Sequence, residues 1–175
     1  MRRKFQIYIL FLPLFISVMW AVFGLNRITA KHEYLITKYY RFESLTEEPI
    51  VQEFIPTYDY LEKLELFIAN IYPETDGVIM LQISDQDGKT VFKKNYAASQ
   101  IPTGEFFPYK IGKDVIRGNV YKIYLSYIGE TVDGPQIMVS EVKKNLLETG
   151  NMYVSDELSE YNMAITYYYK ESRAF

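Results

Sequence analysis

Two hydrophobic patterns divide this chain. From Phe5 to Leu25, 21 consecutive residues carry no charge (FQIYILFLPLFISVMWAVFGL). At ~1.5 Å rise per residue such a helix spans about 30 Å, the hydrocarbon thickness of a bilayer. The pattern predicts a transmembrane helix over 5–25. Pro13 would kink it, which membrane helices tolerate, and Tyr8 and Trp20 lie toward opposite ends, where aromatic rings suit the interface. A cleaved signal peptide is the rival reading. Its apolar region should run only about 7–15 residues and end in a small-x-small site. Ala30 has the bulky Ile28 at −3, and Val22-Phe23-Gly24 is a weak site, so the pattern favours an uncleaved anchor. Arg2, Arg3 and Lys4 crowd the short tail before the span, while Arg27, Lys31, Lys38 and Arg41 are spread out after it. The dense cluster argues for a cytoplasmic N-terminus (residues 1–4) and an extracytoplasmic C-terminal domain.

After Leu25 the pattern becomes alternating and broken. Residues 26–48 mix charge with Tyr34, Leu35, Ile36, Tyr39 and Tyr40 and read as a membrane-proximal stalk. Residues 49–175 read as a β-domain of short strands separated by turn signals. Strands are expected at Ile50–Ile55, Leu64–Ile71 after a lead-in at Tyr58–Leu61, Val78–Ser84, Lys89–Tyr96, Gly104–Ile111, Val120–Tyr127, Gln136–Glu141 and Met163–Tyr169. Asp85-Gln86-Asp87-Gly88 is a tight hairpin turn with Gly88 supplying positive φ. Pro108 puts its strand at an edge or a bulge. A minor hairpin is expected over Asn145–Ser155 around Gly150. No amphipathic helix of useful length is found. The fold class this implies is all-β, an antiparallel sandwich of the jelly-roll kind with its final strand returning to pair near the first.

Composition narrows the chemistry. Setting Arg2, Arg3 and Lys4 aside leaves 16 basic against 22 acidic residues, a net of −6. A domain that acidic is poorly suited to nucleic acid or an anionic lipid surface. With no cysteine there is no disulfide scaffold, thiolate metal site, cysteine nucleophile or lipidated-cysteine anchor. Tyrosine occurs 17 times. It suits half-buried strand faces, and exposed rings can also stack on sugars.

Three local patterns stand in a suggestive order: Gln52-x-Phe54; then Gly77-x-Ile79-x-Leu81-x-Ile83-x-Asp85-x-x-Gly88; then Gly118-x-x-Tyr121-x-Ile123-x-Leu125-x-Tyr127. Over Ile50 to Tyr169 the chain resembles the jelly-roll ectodomains of bacterial membrane proteins of cell-surface polysaccharide assembly, which are similar to carbohydrate-binding modules. The resemblance implies glycan recognition and carries over no catalytic residue. Those proteins usually have many transmembrane helices. This chain has one predicted span, so the implied role is that of a stand-alone module.

An EF-hand reading of Asp85–Gly88 fails, because its sixth and twelfth positions fall on Thr90 and Tyr96. His32 is the single histidine and cannot build a multi-histidine metal site alone. No G-x-S-x-G elbow, G-x-G-x-x-G loop or Walker loop occurs. The acid pairs Glu47/Glu48 and Asp156/Glu157, with Glu160, lie in turns and surface segments, without the fixed separation that glycoside hydrolysis needs. The expectation is therefore a binding module with no enzyme activity, no metal and no cofactor. Its candidate ligand-binding residues are Tyr58, Tyr60, Phe106, Tyr109, Tyr124 and Tyr127. Its expected partners are the bilayer, through residues 5–25, and a glycan or cell-envelope polymer. The alternative partner is a multi-spanning membrane protein, which would call for a contiguous apolar patch.

Overall fold

Alternation of apolar and polar residues produces strands nearly everywhere it occurs. The computed structural model describes residues 27–33 (through their backbone pairing), 40–69, 76–129, 134–141 and 149–172. The predicted span at 5–25 lies outside them. Among the described residues no helix is long and apolar enough to cross a membrane. The strands are β1 (Arg27–Glu33), β2 (Tyr40–Ser44), β3 (Ile50–Phe54), β4 (Tyr60–Ala69), β5 (Val78–Ser84), β6 (Thr90–Ala97), β7 (Glu105–Asp114), β8 (Tyr121–Ile128), β9 (Gln136–Glu141), β10 (Thr149–Val154), β11 (Glu157–Leu158), β12 (Tyr161–Met163) and β13 (Ile165–Ser172).

They form two antiparallel sheets, a β-sandwich as the alternation predicts. Sheet A holds β1, β13, β4, β9 and β12, with β2 added on β9 and β7 on β4. Sheet B runs β11-β10-β3-β8-β5-β6. Between them lies one core. Sheet A contributes Leu64, Leu66, Ile68, Ile137, Val139 and Tyr167; sheet B contributes Ile50, Phe54, Ile79, Leu81, Ile83, Ile123 and Leu125. Phe54 and Tyr167 stack across the interface with centroids 5.1 Å apart. Such pairs add about 0.5–1.5 kcal/mol beyond the area they bury.

Where described, the segment expected as a stalk is part of the sandwich. β1 pairs with β13 from Arg27↔Ser172 to Glu33↔Thr166, so the last strand returns to a strand in the segment expected as a stalk, and not to Ile50–Phe54, the first strand expected, which lies in the other sheet. β2 pairs with β9. The lead-in and the strand expected after it are one strand, β4. Its buried positions change phase between Leu61 and Leu64, where the register against both β13 and β7 shifts. This bulge hid the continuity of the strand, because one extra residue inverts the alternation. Pro108 sits on β7, which among the described residues pairs with β4 alone, so its missing N–H interrupts no second ladder there.

The two hairpin expectations fare differently. At the β5–β6 turn Gly88 has φ 78° and its N–H donates to the Asp85 carbonyl at 3.0 Å, as expected. The minor hairpin does not turn at Gly150. It turns at Ser155 and Asp156, both at positive φ (50° and 60°), between the paired Val154 and Glu157. This is the geometry of a primed two-residue turn, made here without glycine. Gly150 instead lets β10 approach β3: a Cβ there would lie 2.2 Å from the Glu53 Cβ.

One polar side chain joins the sheets. Gln52 on β3 is buried. Its amide donates to the carbonyls of Glu53 (2.8 Å) and Gly150 (3.2 Å), and its oxygen accepts the N–H of Met163 on β12 at 3.0 Å. Ala164 alone separates β12 from β13, and its N–H donates to the Met138 carbonyl at 2.9 Å. These contacts hold β9, β12 and β13 together.

Candidate functional site

The outer face of sheet A carries an aromatic row. Register builds it. Phe42 on β2 lies opposite Met138 on β9. β9 meets β4 at Ile68↔Ile137, and one further step along that register puts Met138 beside Phe67. Phe67 lies opposite Phe106 on β7. Four adjacent strands thus contribute one side chain each, across about 14 Å at ~4.8 Å per strand. Tyr40, two residues before Phe42 and on the same face, extends the row at the β2 edge.

The rings touch in sequence. Tyr40 and Phe42 are 6.1 Å apart, Phe42 and Phe67 6.3 Å, and Phe67 and Phe106 5.5 Å. Tyr40 is 55% exposed, Phe42 39% and Phe106 37%. Met138 is buried among them, filling the gap with a flexible side chain. Ring planes alternate at 83°, 39° and 76°, so the row presents faces and edges in turn rather than a flat plane.

Polar groups follow on the same face. Glu65, two residues before Phe67, accepts from Lys63 Nζ (2.7 Å) and from the Tyr168 hydroxyl (2.8 Å). Lys63 also lies 3.8 Å from the Tyr168 ring centre. Desolvation and then the bond to Glu65 raise the Tyr168 hydroxyl above the ordinary tyrosine value. This neutral hydroxyl, a carboxylate and an ammonium together supply donors and acceptors beside an apolar strip.

The six residues expected as a platform do not form one. Phe106 belongs to the row. Tyr58 and Tyr60 sit at the opposite end of β4, seven residues or about 23 Å from Phe67 in the case of Tyr60. The Tyr58 ring packs against Tyr169 at 5.7 Å, with the Arg117 guanidinium 5.6 Å from its centre. Tyr124 is half-buried on the outer face of sheet B, beside Val51 and Gln82. Tyr109 and Tyr127 are core residues and offer no surface to a ligand, a correction to the expectation for both. The Tyr109 ring is enclosed by Tyr96 (4.8 Å) and Phe107 (5.0 Å). The Tyr127 hydroxyl donates to the Asp76 carbonyl at 2.7 Å.

Tyr40, Phe42, Phe67 and Met138 were missed. For Phe67 a signal existed: it shares the polar phase of its strand with Glu65, so an aromatic ring there must face outward. Tyr40 and Phe42 repeat at strand spacing in a segment read as a stalk. For Met138 there was no signal, because its role depends on neighbours from two distant strands.

Other candidates resolve as structural features. The Asp85 carboxylate accepts the N–H groups of Asp87 (3.1 Å) and Lys89 (2.9 Å), closing its own turn. Glu43, Glu53 and Glu62 are paired with Arg41, Lys122 and Lys170. Among the described residues no group of three or more His, Cys, Asp or Glu is placed to hold a metal. No known family model matches the chain, and no curated protein matches its sequence.

Proposed function

We propose that the chain is a non-enzymatic, membrane-anchored recognition module that binds a glycan or cell-envelope polymer across the row Tyr40–Phe42–Phe67–Phe106. The single observation carrying this reading is the run of touching, partly exposed rings on one sheet face, beside the Lys63–Glu65–Tyr168 group. A pyranose has apolar C–H faces and a hydroxyl rim, and it needs both surfaces in its receptor. The alternating ring planes favour a twisted, soluble chain over a flat crystalline one. The same reading takes residues 5–25 as a single-pass anchor in a bacterial cell membrane, with the sandwich outside. Its finer architecture is a jelly-roll-like sandwich. Within it, β4 neighbours β7 in one sheet, and β8 and β6 flank β5 in the other.

A second reading rests on the same contiguous apolar strip: docking onto a multi-spanning membrane partner. A glycan array probed with the full chain in lipid nanodiscs separates the two. Retention on defined glycans, lost with Phe42→Ala and Phe106→Ala, supports the first reading. No retention on any glycan, together with co-purification of a polytopic protein that those substitutions release, overturns it in favour of the second.

A further inference from the structure

Strand register fixes which end of the sandwich meets the predicted anchor. Thr29, Lys170, Tyr60 and Asp114 form one row across β1, β13, β4 and β7. Arg27 lies two residues outward from that row on β1, and Ile116 lies two residues beyond it after β7. Both therefore stand at the same end and at the same level along the strands. The aromatic row lies toward the other end.

Ile116 is held at the tip of a fixed loop. Its N–H donates to the Tyr121 hydroxyl (2.9 Å), and its carbonyl accepts from Asn119 N–H (3.2 Å). Val115 N–H donates to the Asp59 carbonyl and Gly118 N–H to the Pro56 carbonyl, both at 3.0 Å. Gly118 has φ 82°, which returns the chain toward β8. This scaffold leaves the Ile116 side chain 64% exposed, with Arg117 and the Tyr58 ring beside it. An isoleucine flanked by tyrosine and arginine suits a membrane interface, where apolar groups enter and amphipathic ones stay at the headgroups.

We infer that the Val115–Asn119 loop rests in the headgroup layer of the bilayer, with Ile116 inserted, so that the sandwich stands directly on the membrane. The inference builds on the proposed anchor. Leu25, the last residue of the apolar run, and Arg27, the first of β1, are two residues apart, at most about 7 Å. Each interfacial layer is itself about 5–8 Å thick. No spacer separates the span from the sheet, and the loop at the level of Arg27 shares its depth.

The absence of cysteine permits a clean test. Full-length Ile116→Cys, Arg117→Cys and Ile128→Cys are labelled with a polarity-sensitive fluorophore and reconstituted into phosphatidylcholine vesicles. Ile128 is also exposed but ends β8 at the far end of the sandwich, about 25 Å away. The expected result is blue-shifted emission at 116 and 117, at least halved by lipid carrying a nitroxide high on its acyl chain, with Ile128→Cys unchanged. Water-like, unquenched emission at 116 and 117 from a chain that co-floats with the vesicles after carbonate washing overturns the inference and leaves the anchor standing. Loss of co-flotation overturns both.

Discussion

Tyr109→Phe should stabilise this protein. Tyr109 is fully buried on β7, and neither its hydroxyl nor that of the adjacent Tyr96 has a hydrogen-bond partner. A buried hydroxyl without a partner costs about 1–3 kcal/mol on protein mutational scales. Phenylalanine keeps the ring and its edge-to-face contacts with Tyr96 and Phe107 and removes only the oxygen. The small void it leaves is worth less than a methyl-sized cavity, on the order of 1 kcal/mol. The net expectation is a gain of about 1 kcal/mol, or roughly 2–4 °C in midpoint for a chain of this size. Burial, followed by the neighbouring Tyr96, pushes the Tyr109 hydroxyl far above the ordinary tyrosine range. The folded state thus holds it neutral while the unfolded chain ionises near pH ~10. Below that pH its ionisation does not affect stability; as pH rises further, ionisation favours the unfolded chain and stability falls by up to about 1.4 kcal/mol per pH unit. Tyr109→Phe should reduce the alkaline loss of stability by that slope. The assay is urea unfolding of wild type and variant at neutral and alkaline pH, followed by circular dichroism in mild detergent. A destabilised variant at neutral pH, or an unchanged alkaline slope, would refute the reasoning.

Other expectations concern the framework. Gly77 and Gly88 both have positive φ, but a Cβ at Gly77 would lie 2.2 Å from the Ile128 carbonyl oxygen while one at Gly88 meets nothing within 4 Å. Thermal unfolding should therefore show Gly88→Ala losing about 1 kcal/mol from backbone strain alone, and Gly77→Ala losing clearly more. Equal losses would contradict the close approach at Gly77. Gln52→Leu strands the buried Met163 N–H and takes the donor from the half-buried carbonyls of Glu53 and Gly150; denaturant melts should register a loss of about 2–4 kcal/mol. A near-neutral result would mean the two sheets do not rely on that link.

Most of the sandwich was legible because one buried and one exposed face impose a period of two. Ile79, Leu81 and Ile83 on β5, or Tyr121, Ile123 and Leu125 on β8, reveal strand and inward face together. The legibility failed where non-local pairing decides. β1 exists through its register with β13, at the other end of the chain, and nothing in Arg27–Glu33 announces that partner. The turn at Ser155 and Asp156 lacks the glycine that marks such turns, while Gly150, which looked like one, serves a close approach of backbones. The candidate binding surface was the least legible part. Tyrosine frequency drew attention to Tyr109 and Tyr127, whose rings fill the core, whereas the exposed row is mostly phenylalanine assembled from β2, β4 and β7.

In the proposed function this row binds sugar. Each partly exposed ring still offers on the order of 70 Å² for a ligand to cover, worth about 2 kcal/mol. The most direct measurement is calorimetric affinity of the full chain in nanodiscs for a glycan retained on the array, compared among wild type, Phe42→Ala, Phe106→Ala and Ile128→Ala. The prediction is a loss of at least tenfold for each phenylalanine variant and none for Ile128→Ala, which lies off the row. Equal affinity across all four proteins would contradict it.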